Sequence, residues 1–512
     1  MDGRPNIVII MTDQQQARLC AREGYPIDTM PFVDNLAKDG IWFSRAYAPN
    51  PTCVPARISM LTGRYPNATR VKANGFLNFA TFEKDLFQVF KEQGYFTALV
   101  GKNHSHLTKD MTDFFYGSGH ISAEDDNSND ENLNFHRFFT DNIGHHFSPD
   151  PTPHPVHVQF PYRCVDKATN WIKSNKNTKN PFLLWLSFAE PHNPYQVPEP
   201  YYSMFPPQEL PPVLANESVL NKKSYLFQRA RRWQEKAFPI LNQIIPRVRS
   251  NYMGMLRLID DQIKRFTEFL EKEKLRENTV IIFVSDHGDF VGEYGLIRKG
   301  IELPEFLTRI PFVVNGPGIS PLGHHQAHVS LVDIFPTLCD MIGVNIPEGI
   351  QGKSLWPLLN GKDYPENEFN SAYAELGYGG LYVIYKGAIK DKPMSRMYSK
   401  DGVRRGSYNG ANSWTQSGTM RMVRKGDWKL IFDMMGQGQL YNLVNDPAEL
   451  NNVYGKENYA KIQQKLITEL LTWVLRAQDP IPLPEKKYNY NQHPNNFWTP
   501  HYNDLENPPI DF

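Results

Sequence analysis

Four apolar stretches of this chain end on side chains that could do chemistry. The run 6–11 is followed by Asp13 and Gln14, and the run 96–100 by Lys102 and His104. The run 182–189 is followed by His192, and the run 280–284 by Asp286 and His287. Carboxylates, an amide oxygen and imidazoles can ligate a cation or move a proton, and a lysine can hold an anion. A fifth stretch, Cys53-Val-Pro-Ala-Arg57, leads into Leu61-Thr-Gly-Arg64. Pro55 suits the first turn of a helix that 56–61 continues, so Cys53 sits at its N-terminus. Free N–H groups and the helix dipole favour negative charge there. Arg57, one turn on, shares the face of Cys53. A buried cysteine beside a salt-bridged arginine would read the same way.

The elements that position these residues follow from pattern. The apolar runs are the length of buried strands. Thr29 reads as the N-cap of a helix with Pro31 in its first turn and Gly40 as its stop. Helices are expected over 85–93 and 164–173. Apolar residues at Tyr252, Met255, Leu256, Ile259, Ile263, Phe266 and Leu270 mark a long amphipathic helix over 251–275. Strands alternating with helices predict an α/β fold: a large, mostly parallel sheet covered by helices on both faces. Ligands in such sheets sit beyond the carboxyl ends of the strands, where the residues above fall. From about Ala372 the texture changes to short strands at 420–424, 428–432 and 440–442, then a helix over 459–477. The expected division is a catalytic domain at 1–371, a smaller antiparallel sheet and helix at 372–479, and an irregular wrap at 480–512.

The 512 residues carry 55 basic and 55 acidic side chains, so nothing global argues for nucleic acid or an anionic membrane. No apolar run approaches the roughly 18 residues that span a bilayer. No charged and apolar leader opens the chain, so a periplasmic or secreted location would need a signal peptide that this sequence does not carry; a cytoplasmic one stays open. Four widely spaced cysteines, Cys20, Cys53, Cys164 and Cys339, form neither a disulfide framework nor a C-x-x-C metal pattern.

The C-x-P-x-R motif with T-G-R after it resembles the signature of the sulfatase family, in which the cysteine is oxidised to formylglycine. The likeness spans roughly 5–475. It includes Gly101-Lys-Asn-His104, Pro191-His-Asn-Pro-Tyr195, Ser285-Asp-His-Gly288 with Gly292 and Lys299, Val332-Asp-Ile-Phe-Pro-Thr337 and Gly426-Asp-Trp-Lys-Leu430. Two places depart from the family pattern. Gln14 stands where a second Asp is frequent, and Glu305 lies in Pro304-Glu-Phe306 where the pattern has Y-E-E.

The resemblance implies a sulfatase that cleaves a sulfate ester with a formylglycine made from Cys53. It implies a divalent cation held by Asp13, Gln14, Asp286 and His287, with Ca²⁺ favoured over Mg²⁺; His287 either ligates the ion or stands behind it. One hydroxyl of hydrated formylglycine attacks sulfur, and the other expels sulfate by C–O cleavage. Arg57, Lys102 and Lys299 stabilise the sulfate oxygens, His104 orients formylglycine, and His192, or Lys299 with it, protonates the leaving alcohol. A formylglycine-generating maturation enzyme is the implied partner.

Eight of the 15 histidines lie between His104 and His157, in a stretch that reads as irregular loops. His145, His146, His154, His157 and Arg163 are candidate contacts to a carboxylated or sulfated sugar. The expected substrate is a sulfated poly- or oligosaccharide, either algal, such as ulvan, or a glycosaminoglycan. The rival readings are a phosphonate or phosphate monoester hydrolase of the same superfamily, and a catalytically silent protein that binds sulfated glycans.

Overall fold

The computed structural model describes residues 3–119, 130–138, 146–175, 180–379, 396–398, 404–406, 418–478 and 493–498. Its centre is an eight-stranded sheet. The strands in chain order are β1 (Asn6–Thr12), β2 (Ile41–Tyr47), β3 (Phe96–Lys102), β4 (Phe114–Ser118), β5 (Phe182–Ser187), β6 (Thr279–Ser285), β7 (Phe312–Asn315) and β8 (Gly323–Ser330). Their order across the sheet is β4-β3-β5-β1-β6-β7-β2-β8. Every pairing is parallel except those of β7, which runs against both β6 and β2. The expected mostly parallel sheet is therefore present.

The apolar runs form central strands because both of their faces are covered. Every residue of β1 and of β6 is buried. Side chains alternate between two cores, as the period of two requires. Val8, Ile10, Leu184 and Phe283 enter one core, and Ile7, Ile9, Trp185 and Ile282 the other. The first core is closed by helices Phe160–Asn175 and Leu241–Lys272, and the second by helices Cys53–Thr62 and Ile334–Met341.

Helix boundaries differ from the sequence reading in instructive ways. Helix Pro31–Lys38 is capped at Met30 with no side-chain cap. Thr29 Oγ1 instead donates to the Leu19 carbonyl. The first-turn N–H groups of Phe32 and Val33 donate to the carboxylate of Asp260, each at 2.9 Å. The cap comes from a residue more than two hundred positions away, which local pattern cannot reveal. The long amphipathic helix begins at Leu241, ten residues before the expected start, and carries Pro246 near its beginning. The stretch 104–163 is not all loop: it contains β4, helix Asp130–Phe138 and the start of helix Phe160–Asn175.

The second sheet is built from β9 (Ser371–Gly379), β12 (Gly418–Lys425), β13 (Trp428–Asp433) and β14 (Gly438–Asn442); β10 (Arg396–Tyr398) and β11 (Arg404–Gly406) pair apart from it. Its order is β14-β13-β12-β9, and it is wholly antiparallel. Lys425 pairs with Trp428, leaving Gly426 and Asp427 as a two-residue turn, with Gly426 at φ 55. Helix Ala460–Ala477 covers this sheet with Leu466, Leu470 and Trp473. Tyr65, from the segment after helix Cys53–Thr62, packs its ring against Tyr373 and Trp473 at 5.2 and 5.8 Å between centroids. The segment after the Cys53 helix thus shares a core with the second sheet and its helix. Of the expected wrap at 480–512, only 493–498 fall among the described residues.

Candidate active site

Cys53 opens helix Cys53–Thr62 and is buried at 1% exposure. Its Sγ is surrounded by ionisable groups from four other segments. Lys299 Nζ lies 2.9 Å away, His287 Nε2 3.4 Å, Asp13 Oδ1 3.8 Å and Lys102 Nζ 3.9 Å. His104 also hydrogen-bonds the sulfur. Burial and Asp13 oppose a negative charge on residue 53, but Lys102, Lys299 and His287 outweigh them, so the thiol is held well below its ordinary value. The surroundings are built for an anion.

Strand ends supply these groups, since parallel strands present their carboxyl ends on one side. Asp13 and Gln14 follow β1, Asp286 and His287 follow β6, and Lys102 is the last residue of β3. Arg57 ties the ends together and is itself fully buried. Its Nε donates to Asp286 Oδ2 at 2.8 Å and its Nη2 to Asp13 Oδ2 at 3.1 Å. Its Nη1 donates to the Lys102 carbonyl at 2.9 Å and to Ser187 Oγ at 2.8 Å. One planar guanidinium thereby fixes the ends of β1, β3, β5 and β6, a task that suits its rigid fork.

Charge is balanced locally. Burial opposes ionisation of Asp13, but Lys102, which sits 2.5 Å from it, Lys299, His192 and Arg57 hold its carboxyl well below the usual range. Asp286 moves the other way, to about 6, because of burial and the neighbouring Asp13. Burial lowers Lys102, whereas Cys53, Asp13 and Asp286 raise Lys299 against the same burial. Burial and Lys102 lower His104, which keeps its ring neutral near pH 7.

Asp13, Cys53, Asp286 and His287 offer donor atoms that all lie within 4.8 Å of one another, the spacing of a metal site. Gln14 adds to this set. Its N–H donates to Asp286 Oδ1 at 3.0 Å, and its Oε1 is buried with no protein donor. Two adjacent buried carboxylates and an unpaired amide oxygen are a donor set that fits a hard divalent cation.

Of the residues singled out from sequence, Cys53, Arg57, Lys102, His104, Lys299, Asp13, Gln14, Asp286 and His287 gather here. His192 lies in the loop after β5, close enough for its charge to act on Asp13, with Nδ1 2.6 Å from the Asn193 carbonyl. The substrate candidates do not form one cluster. His146 Nδ1 meets Arg298 Nη2 at 3.1 Å, and its ring packs on Phe238. His154 packs edge-on against Phe135 and Phe138. His157 faces Glu131 at 3.1 Å. Arg163 belongs to helix Phe160–Asn175 and lies over the rings of Phe135 and Phe160. Its place is on a buried helix face, not in a loop. His145 lies outside the described residues.

Sequence reasoning assigned no role to Ser187, Asp289, Tyr195 or Tyr252. Ser187 ends β5, but the apolar run reads on to 189, which hides that strand end. Asp289 lies three residues after Asp286. The two tyrosines fall in a helix pattern and a family motif, but neither pattern says what their hydroxyls hold.

The family model described as Sulfatase matches residues 5–344. An arylsulfatase of Clostridium perfringens is 26% identical over 500 residues, covering 91% of this chain and 94% of that one. An ulvan-active sulfatase of Formosa agariphila is 25% identical, covering 95% and 85%. Among solved structures, a phosphonate monoester hydrolase of Agrobacterium radiobacter shares the fold with a TM-score of 0.71 at 23% identity, over 93% of this chain and 96% of that one. The family match takes in every residue gathered around Cys53. The chain belongs to the sulfatase family and is a sulfuric ester hydrolase.

Proposed function

We propose that this sulfatase hydrolyses the sulfate ester of a sulfated poly- or oligosaccharide, with residue 53 as formylglycine and a divalent cation held by Asp13, Gln14, Asp286 and His287. The observation that carries this reading is the ring of charge around residue 53, with Lys299 at 2.9 Å and two carboxylates tied by Arg57. Oxygen donors predominate, and Ca²⁺ accepts irregular oxygen sets more readily than Mg²⁺. When bound, the cation would offset the carboxylates and favour a negative charge on the nucleophile. Hydrated formylglycine would supply two hydroxyls on one carbon, the first for attack on sulfur and the second for releasing sulfate by C–O cleavage.

The chain's own residues supply the rest. Lys102 and Lys299 stand where sulfate oxygens gather charge and would stabilise it. Arg57 holds Asp13 and Asp286 in place. His104, neutral and hydrogen-bonded to residue 53, would orient the nucleophile. His192, next to Asp13, would give its proton to the oxygen of the leaving alcohol. The glycan assignment draws on the ulvan-active relative and on the polar residues 146–157 beyond the catalytic strands. A polymeric substrate would place the enzyme in the periplasm or outside the cell, matured by a formylglycine-generating enzyme.

The test combines chemistry and mass. Peptide 46–57 from protein co-produced with a maturation enzyme should carry an aldehyde at residue 53, and C53A should lose sulfate-ester turnover. Aryl sulfate, aryl phosphate and phosphonate esters, and defined sulfated oligosaccharides should be assayed side by side. Faster phosphonate than sulfate turnover would favour the phosphonate hydrolase reading. No turnover of any ester by protein carrying the aldehyde would favour a silent glycan binder.

A further inference from the structure

Asp289 lies beyond the Cys53 cluster, is fully buried, and is met by four donors. Its Oδ2 accepts from Gln14 Nε2 at 2.5 Å and from the Tyr195 hydroxyl at 2.7 Å. Its Oδ1 accepts from the N–H groups of Val291 and Arg298, both at 2.8 Å. The Tyr195 hydroxyl itself accepts from the Arg298 N–H at 3.1 Å, which commits its proton to Asp289. Four donors match the roughly four lone-pair sites of a carboxylate, so Asp289 here only accepts.

An amide facing such a group can present only its NH₂. Its oxygen must point away. Gln14 meets this condition, since its Oε1 has no protein donor although it is buried. Its backbone is held as well. The N–H rests on Asp286 Oδ1 at 3.0 Å, the carbonyl accepts from Tyr252 at 2.7 Å, and φ is 69, in the left-handed region. Gln14 is thus fixed on three sides, with one buried acceptor, Oε1, left without a protein donor.

We propose that Asp289 is a positioning residue for the cation site: it fixes the Gln14 amide with its oxygen on the cation side, and it requires an amide rather than an acid at position 14. An acid there would bring an acceptor oxygen to the 2.5 Å now spanned by the Gln14 amide N–H, facing a carboxylate that already accepts from three other donors. The proposal rests on the reading of Asp13, Gln14, Asp286 and His287 as a cation site. It accounts for Gln14 where the family pattern frequently has a second acid.

The experiment is calorimetric titration of chelator-stripped protein with Ca²⁺, at one pH, for wild type, Q14E, D289N and Q14E/D289N. Each single variant should bind Ca²⁺ about 10–100-fold more weakly, the usual cost of losing a partner that orients a ligand. The double variant should return to within about threefold of wild type, because the amide introduced at position 289 can donate to the carboxylate introduced at position 14, making the two changes strongly non-additive. A residue needed only for folding would not yield this recovery. Near-UV circular dichroism of the stripped proteins reports the fold. If D289N fails to fold, Q14E against Q14E/D289N still decides: recovery in the double variant supports the proposal, and no recovery overturns it. Q14E binding Ca²⁺ as tightly as wild type would also overturn it, as would losses that simply add. Absence of Ca²⁺ binding by wild type would instead remove the cation reading itself, and the proposal with it.

Discussion

Replacing Arg57 by lysine keeps the charge and removes the fork. The guanidinium serves four acceptors: two carboxylate oxygens, the Ser187 hydroxyl and the Lys102 carbonyl. It also lies over Trp185, 5.7 Å from the ring centroid. A lysine brings its three donors on one nitrogen and cannot reach acceptors spread around a planar group. At least two buried acceptors would be left without a donor. Each costs about 1–3 kcal/mol, so R57K should lose about 2–6 kcal/mol of stability. That is a large share of the roughly 5–15 kcal/mol that holds a folded protein together. Urea unfolding of chelator-stripped wild type and R57K measures it, and the midpoint should fall clearly. Sulfate-ester turnover should fall by roughly 100-fold, as when a preorganised donor is lost, because Asp13 and Asp286 would no longer be held in register. An R57K protein with an unchanged midpoint and undiminished turnover would refute the idea that this side chain organises the strand ends.

Asp13→Asn should lower both bound-metal content and aryl sulfate turnover, measured together by elemental analysis and assay; full metal content would count against Asp13 as a ligand. Burial pushes the Asp260 carboxyl up to about 7 although it accepts two backbone N–H groups. The folded chain then holds this proton more tightly than the unfolded one, so the stability it contributes is complete below about pH 4 and is lost as pH rises through about 7. D260N should flatten that fall in a series of melting temperatures across pH, and an unchanged slope would show that another group sets it. His146→Ala should lower turnover of a sulfated oligosaccharide and spare a small aryl sulfate, since His146 meets Arg298, the neighbour of Lys299. His154→Ala should spare both, because that ring packs against Phe135 and Phe138. Equal losses on both substrates for His146→Ala would move it into the sulfate machinery or the fold.

Much of the site was legible because a parallel strand buried on both faces reads as an unbroken apolar run, and the polar residue that stops it marks the functional edge. Asp13, Lys102 and Asp286 were found in that way. Lys299 was not, as it lies in a loop with no periodicity, and only its place after Ser285-Asp-His-Gly288 suggested it. Asp289 and Ser187 are silent for another reason. Their importance lies in what they hold, Gln14 and Arg57, and that needs coordinates. The same holds for Asp260, whose capping of helix Pro31–Lys38 joins parts of the chain far apart in sequence. The histidine-rich stretch is a different case. His146, His154 and His157 face different neighbours, because a local excess of one residue type says nothing about direction.

The depth of Cys53 has a consequence for the order of events in the life of the chain. At 1% exposure the side chain is out of reach of any enzyme that must grip the peptide around it. The groups that enclose it arrive late: Lys299 follows Cys53 by 246 residues. At roughly 5–20 residues per second of synthesis, that separation gives about 10–50 seconds during which the segment around Cys53 exists without its cover. A covalent change at this position belongs to that interval or to a chain held open afterwards. On the proposed formylglycine reading, a molecule that folds unmodified would carry a nearly complete pocket around a thiol in place of the aldehyde, and no later encounter with a maturation enzyme would restore it without unfolding. The yield of active enzyme would then be set by a race between synthesis and modification, and slowing translation after residue 53 should raise the modified fraction without any change in sequence.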